Sequence, residues 1–274
     1  MSLNVIFLGE IVGRAGIKVL KTELKSLKKK YEVDLCIANA EGTTNGFGIG
    51  ANHSVLLTKL GVDIITGGEK FYYKPDFVDF LPKCPFALRP ANYPPQSPGK
   101  AYKIVSVKDK KLAVINLISS SGFSRISAAN PFLQAEFLVR KLKEEADAVL
   151  VQFHCATTAE AATMGHYLDG TAACVIGTHN KVLTADAVVL EKGTAFISDN
   201  GRCGADMSAG GFDPAREIGK FMTGLPVRSW ESWEDGQIQG VLVKISTETN
   251  LAQEIVTIKE HVKVEKPETE ERKE

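Results

Sequence analysis

Residues 4–41 read NVIFLGEIVGRAGIKVLKTELKSLKKKYEVDLCIANAE, and the spacing of apolar residues in that stretch decides the fold class. Val5 to Leu8 form an unbroken apolar run closed by Gly9, the pattern of a strand buried on both faces. Ile17, Leu20, Leu24 and Leu27 then recur at helical spacing among lysines, which gives a helix with one apolar and one solvated face. Leu35 to Ala38 is a second buried strand. Strand, amphipathic helix and strand make a βαβ unit, whose two strands run parallel. The pattern continues with a helix from Ala51 to Leu60 ending at Gly61, then a third strand from Val62 to Thr66 closed by Gly67 and Gly68. In sheets of this kind ligands bind where loops leave the carboxyl ends of strands, so the loops after these three strands are the first places to search.

Farther along, two β-rich stretches within Tyr102 to Leu117 flank the polar tetrapeptide Lys108-Asp109-Lys110-Lys111, which predicts a hairpin and therefore a mixed sheet arrangement. Pro131 to Ala146 is an amphipathic helix with proline at its start, leading into a strand from Ala148 to Phe153. Ala172 to Gly177 and Thr194 to Ser198 repeat the short apolar pattern, and Gln239 to Ser246 with Glu254 to His261 predict a closing hairpin. From Lys263 onward the chain is almost wholly Lys, Glu, Pro and Thr, too polar to bury itself. The expected organisation is one α/β domain over residues 1–262 and a charged, disordered tail over 263–274.

Composition narrows the function classes. A chain of 274 residues with 44% hydrophobic residues can bury a large single core. Thirty-three basic residues balance thirty-three acidic ones, so no overall field favours nucleic acid or an anionic membrane, and a phosphate-bearing ligand must be held locally. Cys36, Cys84, Cys155, Cys174 and Cys203 are odd in number and never form a CxxC pair, which argues against a disulfide framework or zinc knuckle and for a reducing cytoplasm. No apolar run reaches the roughly 20 residues that span a bilayer, and the amino terminus lacks the features of a signal peptide.

The polar residues able to carry chemistry fall at strand ends: Glu10 after the first strand, Glu41 after the second, Glu69 and Lys70 after the third, His154 and His179 after two later ones. Carboxylates and neutral imidazoles are suitable ligands for Zn, Mn or Fe, so the set reads as a metal site, although each residue taken alone has an ordinary structural role open to it. Other features read as structural. Thr43 to Gly50 is glycine-rich without the Lys-Ser/Thr of a P-loop and suits a flexible wall over the site. Ser119 to Ser121 lack a G-x-S-x-G frame, Cys155 reads as a small core residue, and His53, His166 and His261 as structural or surface groups. Tyr72, Tyr73 and Lys74 read as cover for the pocket, with stacking on a base as the other role open to the two rings.

At these same positions the chain resembles the YmdB-type metallophosphoesterases, a bacterial family with the calcineurin-like fold. The resemblance is carried by IFLGEIVGRAG (6–16), IANAEGTTNGFGIG (37–50), LGVDIITGGEK (60–70), LRPANYP (88–94), PGKAY (98–102), LAVINL (112–117), VQFHCATTAEA (151–161), the run from Tyr167 to Asp199, and LPVR (225–228). It implies a mixed β-sandwich flanked by helices with a dinuclear centre at the strand ends. Carried across residue by residue, the bridging carboxylate is Glu41 and two histidine ligands are His154 and His179. The remaining positions depart from the family pattern. Its first aspartate is here Glu10, the asparagine after the bridging glutamate is Gly42, the asparagine and catalytic histidine of a GNH segment are Glu69 and Lys70, and a further histidine ligand is Lys181.

The departures leave Glu10, Glu41 and Lys181 where one metal would sit, and a lysine ammonium between two carboxylates can stand in for an ion. Glu41, Glu69, His154 and His179 remain as a set for one divalent metal, Fe, Mn or Zn. The resemblance implies phosphodiesterase or phosphatase chemistry on a phosphoester such as a cyclic nucleotide, in a homo-oligomer; with one ion and the family's catalytic histidine gone the expected activity is weak, and Lys70 and Lys181 are the residues left to neutralise phosphoryl charge. Lys70 serves as a proton donor only if burial lowers its pKa from about 10.4 toward neutrality. Two other readings stand beside this one: a non-catalytic relative with a charge-compensated cluster, and a regulatory module that holds a nucleotide without cleaving it.

Overall fold

The first strand, β1 (Ser2–Leu8), sends Leu3, Val5 and Phe7 to one side and Ile6 and Leu8 to the other, and all five are buried, as its unbroken apolar run requires. The computed structural model describes residues 2–124, 126–233 and 235–264. After β1 the chain runs through β2 (Glu10–Ile11), α1 (Gly13–Lys30), β3 (Leu35–Asn39), α2 (Ala51–Leu60), β4 (Ile64–Thr66), α3 (Pro75–Phe80), β5 (Ala87–Leu88), β6 (Tyr102–Val107), β7 (Lys110–Ile118) and α4 (Pro131–Leu142). It continues with β8 (Ala148–His154), α5 (Thr158–Tyr167), β9 (Cys174–Thr178), β10 (Val188–Val189), β11 (Ala195–Ile197), β12 (Arg202–Ala205), α6 (Pro214–Thr223), β13 (Gly236–Ser246) and β14 (Ala252–Val262).

The strands form two sheets. One has eight strands in the order β2-β12-β13-β1-β3-β4-β5, with β14 also paired to β13; the other has six in the order β10-β11-β9-β8-β7-β6. Parallel pairing joins β1, β3, β4 and β5 in the first sheet and β7, β8, β9 and β11 in the second. Both expected hairpins are present and antiparallel: β6 with β7, turning at Lys108 in the left-handed region (φ 54°), and β13 with β14.

Three apolar layers hold this arrangement together. Between the sheets lie Val5, Phe7, Ile37 and Val243 of the first against Val114, Leu150, Ile176 and Ile197 of the second. The outer face of the first sheet, with Ile6 and Leu8, packs against Leu20 and Leu24 of α1 and Leu57 of α2. The outer face of the second, with Val151 and Phe153, packs against Leu138 and Leu142 of α4 and Met164 of α5. The result is a mixed β-sandwich flanked by helices, the architecture expected from the sequence. Of the expected tail, Lys263 is exposed, Val264 is buried in the first of these outer layers, and residues 265–274 lie outside the described residues. No helix among the described residues is long and apolar enough to cross a membrane.

Stacking the two parallel sets brings their carboxyl ends to the same end of the sandwich. There β1, β3 and β4 of one sheet deliver Glu10, Glu41 and Glu69, and β8 and β9 of the other deliver His154 and His179.

Candidate metal and phosphoester site

Each strand end is shaped by its own local constraint. At Gly9 a Cβ would lie 2.4 Å from the Gly201 carbonyl, so only glycine permits the close backbone crossing that turns Glu10 inward. Glu10 then donates its N–H to the Gly201 carbonyl (2.9 Å) and is 1% exposed. The Asn39 side chain accepts from the Glu41 N–H (2.9 Å), an Asx turn that aims Glu41 across the sheet end. After β4 the chain passes so close to the second sheet that a Cβ on Gly68 would meet the His154 ring at 2.2 Å. Asn116 donates to the Gly67 carbonyl (2.7 Å) and Tyr93 to the Gly68 carbonyl (3.3 Å), fixing that loop from the side. His154, the last residue of β8, is fully buried with Nδ1 3.1 Å from the Thr178 hydroxyl, which leaves Nε2 facing the centre. His179 (φ 126°) and Lys181 (φ 61°) lie in a turn held by Asp199, which accepts from the Asn180 N–H (2.6 Å), and by Arg202, which donates to the Lys181 carbonyl (2.9 Å).

Seven charged or ionisable side chains meet here. Glu41 accepts through one oxygen from the Gly68 N–H (2.5 Å) and through the other from the Lys70 N–H. Glu69 is shared: Oε2 lies 2.6 Å from His154 Nε2, and Oε1 lies 2.9 Å from Lys70 Nζ. His179 Nδ1 lies 3.1 Å from His154 Nε2 and 3.9 Å from Glu69 Oε2. Lys181 Nζ lies 3.3 Å from Glu10 Oε1.

These contacts set the protonation states. Burial, with Glu69 adding to it, pushes the Glu41 carboxyl up to about 7. Burial acts the same way on Glu69, but the hydrogen bond to His154 and the Lys70 ammonium outweigh it and hold this carboxyl well below the usual range. Burial would lower Lys70, yet Glu10, Glu69 and Glu41 together raise it. The condition on which Lys70 could donate a proton is therefore not met, and Lys70 is a fixed positive charge. His154 is raised, because Glu69 and the other carboxylates overcome its burial. His179 is pushed down to about 4 by burial and by its neighbour His154, so it is neutral at ordinary pH with a lone pair to give.

Aromatic rings wall the site. Phe123 stacks on His154 (centroids 5.4 Å) and meets His179 edge-on (4.8 Å). Lys70 Nζ stands over Phe47 at 5.8 Å and Lys181 Nζ over Phe212 at 5.0 Å, and the two rings stack on each other at 5.8 Å.

Glu69, His154 and His179 each offer one ligand atom, all within 4.8 Å of one another. Donors bound at 2.0–2.1 Å around a tetrahedral ion stand about 3.3 Å apart, and the three separations here, 2.6, 3.1 and 3.9 Å, straddle that value. The donor chemistry and spacing fit one divalent metal. Glu10 and Glu41, named with them from the sequence, lie outside this three-residue group.

Several residues that shape the site were not singled out from the sequence. Asp199 was within reach of the same strand-end rule, since it lies just past β11; burial pushes it up to about 7. Phe47 lies in the stretch from Thr43 to Gly50 read as a wall over the site, whereas Phe123 and Phe212 carry no such signal, being loop residues whose neighbours come from distant segments. Ser119 donates to Glu160 (2.7 Å) and Ser121 joins it, a polar loop as read. Cys155 is buried with its thiol pushed upward by burial, His53 pairs with the Thr44 hydroxyl (2.7 Å), and His166 is exposed on α5. Tyr72 stacks on Tyr93 (5.9 Å), while Tyr73 is 53% exposed.

Comparison with known proteins converges on one family. The profile of the family described as YmdB-like protein matches residues 6–258. A 2′,3′-cyclic-nucleotide 2′-phosphodiesterase from Bacillus subtilis (strain 168) is 34% identical over 256 residues, spanning 93% of this chain and 96% of the relative. Among solved structures, a novel phosphatase from Mycoplasma pneumoniae superposes with a TM-score of 0.89 at 31% identity, covering 95% of this chain and 94% of that one. A hypothetical protein from Thermus thermophilus gives a TM-score of 0.87 at 28% identity over 94% and 99% of the two chains.

Proposed function

The chain belongs to the YmdB-like family, and from that premise we propose that it is a phosphoesterase that opens the cyclic phosphodiester of a 2′,3′-cyclic nucleotide at a one-metal centre. Metal-dependent phosphoester hydrolysis is the activity its family supports. The observation that carries the reading of this site is the Glu69, His154 and His179 cluster set beside two lysine ammonium groups. Those three residues would hold a divalent Fe, Mn or Zn, which would supply Lewis acidity and activate water.

The chain's own residues do the rest. Glu69 and neutral His179 present lone pairs, and His154, oriented through Nδ1 by Thr178, would offer Nε2 on release of the proton it shares with Glu69. Lys70 and Lys181, held over Phe47 and Phe212, offer two ammonium groups to the phosphoryl oxygens. Glu41 clamps the loop of Glu69 and Lys70 through two backbone N–H groups, and Glu10 balances Lys181. The Phe123 ring against both histidines excludes water from that side. In this reading the metal set narrows to three residues and no second ion is bound.

A non-catalytic nucleotide-binding role rests on a specific observation too: Glu69 is already paired with Lys70 and His154, and Glu10 with Lys181, so the cluster is charge-compensated as it stands. Elemental analysis of protein purified without chelator, beside Glu69→Ala, separates the two. We expect about one transition metal per chain, lost in the variant, with turnover of 2′,3′-cyclic AMP by the wild type only. Metal in neither protein would sink the one-metal reading.

A cytoplasmic setting is supported by five cysteines that are all buried and unpaired. Assembly with further copies of the chain is supported by α6, whose Ile218, Phe221 and Met222 are 61%, 91% and 80% exposed.

A further inference from the structure

The Glu10 carboxylate presents a problem of charge that the rest of the cluster does not. It is 1% exposed, and among the described residues neither of its oxygens takes part in a hydrogen bond. Glu41, equally buried, has two N–H donors, and Glu69 has His154 and Lys70. An ionised carboxylate held away from water without donors is strongly disfavoured unless a cation stands beside it. Here the cation in contact is the Lys181 ammonium, 3.3 Å from Oε1.

The surroundings are shaped for that contact. A Cβ on Gly42 would fall 2.5 Å from Glu10 Oε1, so the carboxylate fills the volume that any side chain at position 42 would need. Opposite, the face of Phe212 lies 5.0 Å from Lys181 Nζ and supplies the negative side of its quadrupole. Phe212 is itself seated on Gly46, where a Cβ would come within 2.3 Å of its ring. Lys181 leaves the backbone at φ 61°, a conformation that L-residues adopt at a cost and that Asp199 and Arg202 hold in place from either side. Two close approaches that only glycine allows, an unsatisfied carboxylate and an aromatic face thus surround one ammonium.

We infer that Glu10, Gly42 and Phe212 form a receptor for a small cation, and that the Lys181 ammonium is a tethered occupant filling it permanently. This deepens the one-metal reading: the centre carries one exchangeable ion and one covalent positive charge, so it cannot lose the second charge to a chelator. The receptor's chemistry is that of a primary ammonium, one charge with donors for a carboxylate and a surface for an aromatic face.

Removing the side chain beyond Cβ tests the idea, because the part deleted in Lys181→Ala has the size and charge of propylammonium. Thermal unfolding of Lys181→Ala is followed with propylammonium chloride, with n-propanol, and with sodium chloride at matched ionic strength. At about five times its dissociation constant, propylammonium is expected to raise the Tm of Lys181→Ala by about 2 °C above the salt control. Propanol is expected to give no such rise, and neither wild type nor Lys181→Met, whose place is filled by a neutral chain, should respond. The same response in Lys181→Met, an equal effect of propanol, or no ammonium-specific rise would overturn the inference. Because the readout is unfolding rather than turnover or metal content, it stands or falls separately from the proposed activity.

Discussion

Gly68→Ala adds one methyl group at the point where the two sheets' strand ends come closest. Its Cβ would start 2.2 Å from His154 Cδ2, and an ordinary contact begins near 3.4 Å, so the ring must retreat by about 1.2 Å. It has little room to do so. His154 is fully buried, its Nδ1 faces Thr178 at 3.1 Å, and Phe123 is stacked on its face. The cheapest escape is rotation of the imidazole away from Glu69, which breaks the 2.6 Å contact that joins two of the three proposed ligands. Overpacking costs about 1–3 kcal/mol, and losing a hydrogen bond to a charged group about 1.5–3 kcal/mol, so we expect a loss near 3–5 kcal/mol. A metal site tolerates ligand displacements of about 0.2 Å, so affinity should fall by more than about 100-fold, beyond what loss of an outer hydrogen bond causes. Urea unfolding of the chelator-treated protein reads the first effect and metal titration the second. A Gly68→Ala protein that keeps wild-type stability and binds metal as tightly would refute the packing argument and the placement of His154 in the site.

His179 is neutral in the folded protein, pushed down to about 4 against about 6.5 when unfolded, so its contribution to stability is present above pH 6.5 and lost as pH falls toward 4. In chelator, the Tm difference between wild type and His179→Gln should therefore shrink over that window, where Glu41 and Asp199, both raised, titrate in either protein; an unchanged difference across the window would refute it. Lys70→Met removes one fixed charge while keeping the packing on Phe47, and we expect kcat on 2′,3′-cyclic AMP to fall by about 10²–10³-fold with metal content unchanged. Because Lys70 holds its proton firmly, the wild-type rate should show no basic limb assigned to it below pH 10, which a pH–rate profile comparing the two proteins checks.

The strand-end residues were legible in the sequence because each follows a local pattern. An apolar run closed by glycine marks where a buried strand stops, and the next polar side chain is carried to the sheet's end whatever the rest of the fold does. Glu10, Glu69, Lys70 and His179 follow runs that end at glycine, while Glu41, His154 and, by the same reading, Asp199 are marked by the end of the apolar run alone. The role of each was less legible. Glu41 and Glu69 look alike as acids after buried strands, yet one has both oxygens held by backbone N–H groups while the other faces two side chains. That difference arises from the path of the loop at Gly67 and Gly68, which Asn116 and Tyr93, residues far along the chain, hold in place.

The amino-acid sequence by itself determined the alternation of buried strands and amphipathic helices, the two hairpins, and the set of residues available at the strand ends, because hydrophobic period and turn chemistry act over a few residues. The resemblance implied the groupings of Glu69 with the two histidines and of Lys181 with Glu10, but the tertiary structure decided the contacts themselves: Glu41 held by backbone N–H groups outside the three-residue cluster, and Phe123 and Phe212 joining Phe47 as walls. Those contacts cross between sheets and between loops dozens of residues apart, where the direction of a side chain depends on how two twisted sheets stack, and no local pattern encodes that.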